Sequence, residues 1–145
     1  MLVEIITCLV MIVLTILIHY EGLRLTSISL VHWSVPPRPH ILLVVFASFI
    51  IHALAILLYA ASYYLLAEVL EIGAVAGVNG HDFYGYFYYS ISSYTSLGIG
   101  DVFPSGNLRI LTGVEALNGL VLITWSASFT YLAMQKFWDL HDPGK

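Results

Sequence analysis

The chemistry of this chain is concentrated in a short segment in which glycine alternates with other residues. Residues 95–101 read Thr-Ser-Leu-Gly-Ile-Gly-Asp. Glycine adopts positive φ at little cost, so alternating glycines allow successive backbone carbonyls to turn toward the same side. A ring of such carbonyls, contributed by several chains, can replace the water shell of a cation. The segment therefore predicts a cation site built from backbone oxygens.

The segment must be positioned by membrane-spanning helices, because irregular backbone at membrane depth has to be buried in protein or line a watery cavity. Apolar runs occupy residues 5–20, 41–67 and 116–135. A spanning helix needs about 20 apolar residues to cross about 30 Å of hydrocarbon. The second and third runs are long enough, and so is the first when residues 1–20 are taken whole. Glu4, with no preceding lysine or arginine, argues against a cleaved signal peptide.

The composition also favours the bilayer. Hydrophobic residues make up 59% of the chain and charged residues 10%, with a net charge of −4. A soluble domain usually carries about 25% charged residues. The few basic residues are scattered, which excludes the basic face that nucleic acid requires. Cys8 is the single cysteine, so an intrachain disulfide is excluded, and we expect no cofactor.

An aromatic stretch at residues 83–94 precedes the glycine segment. It is long enough for about three helical turns but too short to span the membrane. The C-terminal end of such a helix carries the negative end of the helix dipole, which would point toward a cation. The sequence thus predicts a short helix that leads into the glycine segment between two spans.

In this setting, residues 95–101 resemble the potassium-channel filter signature Thr-Thr-Val-Gly-Tyr-Gly-Asp. Pro104, three residues after the aspartate, matches the common continuation of that family. The order of spanning helix, short aromatic helix, filter and spanning helix is also similar to the family's pore domain. The resemblance covers residues 41–137 and leaves out the first helix.

The resemblance implies a passive, potassium-selective channel in which a homotetramer surrounds one pore. Potassium would be bound by backbone carbonyls of Ser96, Leu97, Gly98, Ile99 and Gly100. Ser96 replaces a threonine and keeps a hydroxyl at the innermost ion site, and Leu97 replaces a valine. Ile99 replaces a tyrosine whose ring supports the filter from behind, and isoleucine cannot donate a hydrogen bond. A weakly selective sodium and potassium channel is therefore an alternative.

Residues behind the filter are expected to support it. Asp101 resembles the family aspartate that is bonded to a partner on the pore helix. By spacing, Tyr88, Tyr89 and Ser92 lie on the relevant face, and we expect the Tyr89 hydroxyl to pair with Asp101. Glu115 is a charge inside the last span, where an unpaired acid is costly. We expect it to support the pore helix in place of the glutamate missing at position 92, the alternative being a shallow acid that reaches water.

The last span carries the residues expected to gate the pore and to line its cavity. Gly119 stands where the family often has a hinge glycine, although small residues also allow membrane helices to pack closely. Helical spacing from Leu120 puts Ile123, Ala127 and Tyr131 on one face. Tyr131 is the expected constriction at the cytoplasmic end, and an apolar constriction can gate by dewetting.

The histidines allow other functions. His52 lies mid-span in the second run, where it would bond to a neighbouring helix or sense protons, since histidine titrates near physiological pH. His19 and Glu21 end the first run, and His32 and His40 follow in the connector, without the tight spacing typical of metal ligands. A small membrane enzyme that uses these histidines predicts bound metal, and a non-conducting accessory subunit is another alternative.

The predicted fold is an all-α membrane protein with three spanning helices, a re-entrant pore helix and a filter. Its parts are an N-terminal helix (1–20), a cytoplasmic connector (21–40), a pore domain (41–138, with outer helix 41–70, pore helix 83–95, filter 96–101 and inner helix 107–137) and a cytoplasmic tail (139–145). The positive-inside rule, applied to Arg24, Arg38, Lys136 and Lys145, predicts an external N-terminus and a cytoplasmic C-terminus.

The expected location is the plasma membrane, which in a bacterium is the inner membrane. The sequence has no run of regularly spaced arginines, so a voltage-sensing helix is not expected. Gating would then come from the pore itself, lipid, pH, tension or a regulatory partner protein. Homotetramer contacts and membrane lipid are the other expected interactions.

Overall fold

A computed structural model of the chain describes residues 2–32, 37–77 and 82–139. Its elements are α1 (Leu2–His32), α2 (Pro37–Tyr64), a π-helical turn (Leu65–Val69), β1 (Val75–Ala76), α3 (Phe83–Tyr94), β2 (Phe103–Pro104) and α4 (Leu108–Asp139). Within these described ranges, three helices are long and apolar enough to cross a membrane, over Leu2–Ser29, Pro39–Val69 and Leu108–Lys136. The predicted all-α membrane class is confirmed.

The three long helices pack side by side with alternating direction. α1 runs antiparallel to α2, because Ser62 of α2 bonds Met11 early in α1 and Ile51 packs against Gly22 later in α1. α1 runs parallel to α4, because Thr15 bonds Asn118 and later contacts continue in the same order along both helices. The start of α1 and the end of α4 therefore lie at opposite ends of the bundle.

α1 is longer than the sequence predicted. The expected boundary at residue 20, followed by a connector over 21–40, is wrong, because the helix continues without a break to His32. Gly22 interrupts the helical pattern only mildly, and Leu23 is buried against the rest of the chain. Packing of this kind outweighs the cost of one glycine, which is about 1 kcal/mol in a helix interior.

The proline cluster marks the start of α2 rather than a long connector. Pro37 and Pro39 fall in the first helical turn, where the missing amide hydrogen costs nothing. The expected break at Pro36 lies outside the described residues. At the other end, α2 passes into the π-helical turn, which closes where Leu70 N donates to Leu65 O at 3.0 Å. The outer span therefore covers about the predicted range of 41–70.

α3 is the predicted pore helix and lies between α2 and α4. Asp82 caps its N-terminus by accepting a hydrogen bond from Tyr84 N at 3.0 Å. A cap of this type satisfies one of the free amides of the first turn. The expected turn at Asn79 and Gly80 lies outside the described residues. The helix ends at Tyr94, one residue before the predicted end, and Thr95 is its C-cap.

A short antiparallel β-pairing joins the segment that precedes the pore helix to the segment that follows the filter. Val75 of β1 lies opposite Pro104 of β2, and Ala76 lies opposite Phe103. Ser105 N donates to Ala74 O at 2.8 Å and extends the pairing. The strands are two residues long and carry no alternating pattern that the sequence could reveal. They tie the segment after the outer span to the segment after residues 96–101.

Candidate functional site

The filter segment, residues 96–101, has a backbone of alternating handedness. Ser96, Gly98 and Gly100 have positive φ values of 58°, 56° and 88°, whereas Leu97 and Ile99 between them have negative φ. Such alternation turns successive carbonyls toward one side, as the two glycines predict. Ser96 continues the alternation two residues before Gly98, at a cost of about 1–2 kcal/mol for a residue with a Cβ.

Ser92 anchors the start of the filter segment to α3. Its carbonyl oxygen accepts hydrogen bonds from Leu97 N at 2.9 Å and Gly98 N at 3.2 Å. Its hydroxyl accepts a hydrogen bond from Ile99 N at 3.2 Å. Three filter amides therefore bond a single pore-helix residue behind the filter, which leaves the carbonyls free to face away from it. The contact agrees with the supporting role predicted for Ser92, which remains a prediction.

Asp101 bonds a different tyrosine from the one expected. Tyr88 OH donates to Asp101 Oδ2 at 3.1 Å, so the expected pair of Tyr89 with Asp101 is wrong. Successive residues on a helix point about 100° apart, and Tyr88 is the one that reaches the end of the filter. Desolvation, together with this hydrogen bond, raises the pKa of Tyr88, which keeps its hydroxyl protonated as the donor.

Tyr89 instead faces the core between α2 and α4. Its hydroxyl lies 2.6 Å from Thr112 Oγ1, and its ring meets that of Tyr63 edge to face at a centroid distance of 5.0 Å. Edge-to-face aromatic pairs contribute about 0.5–1.5 kcal/mol beyond the area that they bury. Tyr89 therefore holds the pore helix against the two long helices rather than holding Asp101.

Glu115 lies behind the pore helix with no exposed surface. Its Oε1 accepts from Ser90 Oγ of α3 at 2.6 Å, and its Oε2 accepts from Tyr63 OH of α2 at 2.7 Å. Both carboxyl oxygens are thus bonded, which offsets the cost of burying a polar group in the bilayer. Glu115 joins three helices behind the filter, and the alternative of a shallow acid in contact with water does not hold.

Gly119 is the point at which α4 touches the end of the pore helix. A Cβ built on Gly119 would collide with the carbonyl oxygen of Tyr94. α4 passes through this position as a continuous helix. The close-packing role of Gly119 is therefore visible in the contact, whereas the predicted hinge remains a prediction.

The predicted cavity face of α4 is exposed, and part of it borders a groove between α2, α3 and α4. Leu120, Ile123 and Tyr131 are exposed in the single chain, as is Ala127. Ile123 and Ala127 also border an apolar cavity of about 500 Å³ between α2, α3 and α4. Neither the lining of an ion pathway by this face nor a constriction at Tyr131 is decided by a single chain, and both remain predictions.

Polar contacts between α1 and the pore domain form a feature that the sequence did not indicate. Asn107 Nδ2 donates to Glu4 Oε1 at 2.7 Å, at the start of α4. Asn118 Nδ2 donates to Thr15 Oγ1 at 2.7 Å and lies 3.1 Å from Tyr59 OH. These partners are up to 103 residues apart, so no local pattern could have revealed them.

The histidines of α1 and α2 meet in the bundle. His52 lies within hydrogen-bond distance of Tyr94 OH and Ser126 Oγ, and His19 bonds the same Ser126. The side chain of His32 lies outside the described residues. Among the side chains that the structure describes, no three of His, Cys, Asp and Glu are grouped closely enough to hold a metal ion. His52 therefore has the polar contacts to neighbouring helices that one interpretation of the sequence predicted.

The filter residues are exposed in the single chain. Leu97 is 66% exposed and Ile99 is 55% exposed, although both lie between membrane-spanning helices. Non-helical backbone at membrane depth requires cover from protein or a water-filled pathway, whereas apolar side chains can face lipid. The filter segment therefore needs further protein or water beside it.

Three spanning helices, a short helix and an alternating filter backbone define a pore-loop membrane protein. A family profile described as ion channel matches residues 41–136. The chain belongs to this ion-channel family, that of the two-span potassium-channel pore, and α1 is an additional N-terminal helix. Neither a curated protein nor a solved structure matches the chain. The family comprises passive channels rather than enzymes.

Proposed function

We propose that this chain is a potassium-selective channel in which four copies surround one pore. The observation that carries the proposal is the alternating backbone at Ser96, Gly98 and Gly100, with its amides bonded to Ser92. When the amides are engaged behind the filter, the carbonyl oxygens are available on the other side. Carbonyl oxygens in a ring can replace the hydration shell of potassium.

The proposal that several chains assemble rests on the filter strand, which one chain leaves uncovered on one side. Each chain offers one filter strand, and the non-helical backbone at its exposed residues Leu97 and Ile99 needs neighbours that exclude lipid. Closed rotational symmetry satisfies this need with identical contacts around one axis. Four copies are expected because the family resemblance of the filter implies four strands. The same symmetry would place the exposed face of α4, with Leu120 and Tyr131, along the ion pathway.

Selectivity for potassium is supported by bonds behind the filter. Tyr88 holds Asp101 at the outer end, and Ser92 holds the amides of the filter residues. These hydrogen bonds support the filter from behind, which the apolar side chain of Ile99 cannot do. Ile99 is also the observation that favours the second candidate, a weakly selective sodium and potassium channel, because its apolar side chain is exposed rather than packed behind the filter.

The expected orientation has the N-terminus outside and the C-terminus in the cytoplasm of a plasma membrane. Arg24, in the second half of α1, and Lys136, near the end of α4, would then lie on the cytoplasmic side. The parallel course of α1 and α4 supports one common side for these two basic residues. The filter segment would open toward the exterior.

Ion flux into liposomes tests the proposal. Purified protein is reconstituted, potassium or sodium gradients are imposed separately, and Gly98→Ala protein serves as the inactive control. Potassium-dependent flux with little sodium flux supports a selective channel. Comparable flux of both ions moves the function to the second candidate. Absence of flux for both ions, with correctly folded protein, would favour a non-conducting accessory subunit and contradict the proposal.

A further inference from the structure

A chain of polar side chains crosses the bundle from α1 to the end of the pore helix. His19 Nε2 lies 3.2 Å from Ser126 Oγ of α4, and Ser126 Oγ lies 3.1 Å from His52 Nε2 of α2. His52 Nδ1 lies 2.9 Å from the hydroxyl of Tyr94, the last residue of α3. The four side chains come from α1, α2, α3 and α4, so the polar chain joins these four described helices at one level.

The two histidine rings are close, and His19 is shielded from water. Their centroids are 5.1 Å apart, and His19 is only 1% exposed. Within the part of the chain that the structure describes, His19 Nδ1 is a buried atom that has no hydrogen-bond partner. Buried polar atoms are nearly always bonded, so an open ring nitrogen at the end of a polar chain is a position at which a proton can be bound or released.

The groups that face the pair are uncharged. α4 contributes Ser126 and the ring of Trp125, whose centroid lies 5.3 Å from that of His19. α3 contributes Tyr94, and α1 and α2 contribute the two histidines themselves. On the described side chains, the nearest charged groups of α1 are Glu21 and Arg24, which are exposed and bonded to each other at 2.9 Å. Glu115 is bonded to Tyr63 and Ser90, about three turns away along α4.

The single hydrogen of the Ser126 hydroxyl gives the polar chain a direction. If Ser126 donates to His52, then His19 Nε2–H donates to Ser126, and His52 Nδ1–H donates to the Tyr94 oxygen. His19 Nδ1 is then a bare lone pair. If the direction is reversed, Tyr94 donates to His52 and His19 Nδ1 carries a hydrogen with no acceptor. Each direction leaves one hydrogen without an acceptor among the described side chains, that of the Tyr94 hydroxyl in the first and that of His19 Nδ1 in the second, so the neutral pair has no preferred direction.

We propose that His19 and His52 form a proton-binding site inside the membrane-spanning bundle, and that Tyr94 transmits its occupancy to the filter. This inference concerns regulation of the proposed pore and therefore rests on the proposed function. An added proton gives both nitrogens of one imidazole a hydrogen. With Ser126 donating to one of the rings, His19 Nδ1–H and the Tyr94 hydroxyl hydrogen are then both without an acceptor among the described side chains, whereas the neutral pair leaves only one of them so.

The contact with Tyr94 provides the route to the filter. The Tyr94 carbonyl packs directly against Gly119, and Tyr94 is followed by Thr95 and then by the filter segment. The cavity of about 500 Å³ lies beside Tyr94, Thr95 and His52 and gives these side chains room to move. A charge with no acid nearby is costly in this setting, so protonation should separate the helices around the pair and loosen the filter. Acid should therefore reduce ion flux.

Fluorescence of Trp125 measures proton binding without any need for conduction. Trp33 and Trp138 are replaced by phenylalanine, so that Trp125, which contacts His19, is the remaining reporter. Emission from the reconstituted protein is followed from about pH 8 to about pH 4, a range that includes the ordinary histidine pKa of about 6.5. We expect quenching on acidification, because a protonated imidazole next to an indole is an efficient quencher.

Substitutions assign the transition to the pair. His19→Gln should remove the fluorescence transition, whereas His40→Gln, the matched control in the first turns of α2, should preserve it. Tyr94→Phe should shift the midpoint, since coupling between two sites acts equally in both directions. An unchanged transition in His19→Gln would overturn the proton site, and an unchanged midpoint in Tyr94→Phe would overturn its coupling to the pore helix.

Flux measured on the same vesicles tests regulation. The parent should lose about fivefold or more of its potassium flux over this acid range, the usual size of an allosteric coupling. His52→Gln and His19→Gln should flatten the pH profile, whereas His40→Gln should retain it. The same dependence of potassium flux on pH in the parent and in both glutamine variants would overturn the proposal. A parent that is silent at every pH contradicts the channel function instead, and the fluorescence result with Tyr94→Phe then decides the proton site separately.

Discussion

At the scale of single residues, the filter depends on positive φ at three positions, of which only two are glycine. Ser96 adopts the same handedness as Gly98 and Gly100 because Ser92 bonds the amides that follow it. The glycines could be recognised from the sequence, since their alternation has one clear conformational meaning. The positive φ of Ser96 could not be recognised from the sequence, because it arises from the hydrogen bonds that Ser92 makes with the following amides rather than from the residue type.

Gly98→Ala should abolish potassium flux without unfolding the protein. Gly98 has φ of 56°, where a residue with a Cβ costs about 1–2 kcal/mol, so the carbonyl should rotate out of alignment. Within the described part of the chain, no atom lies within 4 Å of a Cβ built there, so the fold should survive. Liposome flux, with circular dichroism as the folding control, measures both effects. Unaltered flux would count against the filter assignment.

Ile99→Tyr should increase the preference for potassium over sodium. A tyrosine can add the hydrogen bond behind the filter that isoleucine lacks, and one net hydrogen bond corresponds to roughly a two- to tenfold change. The permeability ratio is obtained from the reversal potential with potassium on one side and sodium on the other. Ile99→Phe is the matched control, because it adds the ring without the hydroxyl. An unchanged ratio in Ile99→Tyr would show that the missing hydrogen bond at position 99 does not limit selectivity.

At the scale of elements, the pore helix is held from behind by contacts that few local patterns reveal. The identity and length of α3 could be predicted from its aromatic stretch and from its place before the filter. The sequence could not predict that Tyr88 rather than Tyr89 bonds Asp101, because this depends on the rotation of α3 about its axis against α2 and α4. The contact of Glu115 with the pore helix could be expected, since a buried acid in a span requires partners.

Gly119→Ala should destabilise the packing of α4 against the pore helix. The added methyl group meets the Tyr94 carbonyl, which is backbone and cannot rotate away, so we expect a loss of about 1–3 kcal/mol. Thermal unfolding of the protein in detergent, followed by circular dichroism, measures the change.

Gly113→Ala is the matched control on the same helix. No atom of the described chain lies within 4 Å of a Cβ built at Gly113, so this variant should be at least as stable as the parent, because alanine favours a helix over glycine by about 1 kcal/mol. Equal stability of the Gly113 and Gly119 variants would contradict the close contact between α4 and Tyr94.

At the scale of the whole molecule, α1 is integrated into the pore domain rather than added beside it. Its partners along α4 are Asn107, Asn118 and Ser126, which tie it at the start, middle and second half of that helix. The spans and their number followed from hydropathy alone, because the bilayer imposes length and composition. The length of α1 and its polar contacts could not be derived from hydropathy, because they depend on residues about a hundred positions away.

The four-fold pore can be tested by mixing active and inactive chains. Parent and Gly98→Ala chains are co-expressed in equal amounts, purified together and reconstituted at a fixed protein-to-lipid ratio for potassium flux. If four copies form one filter and one altered strand blocks it, random assembly leaves roughly one-sixteenth of the parent flux. A flux of about half that of the parent would mean that each chain acts alone, and it would contradict the shared pore.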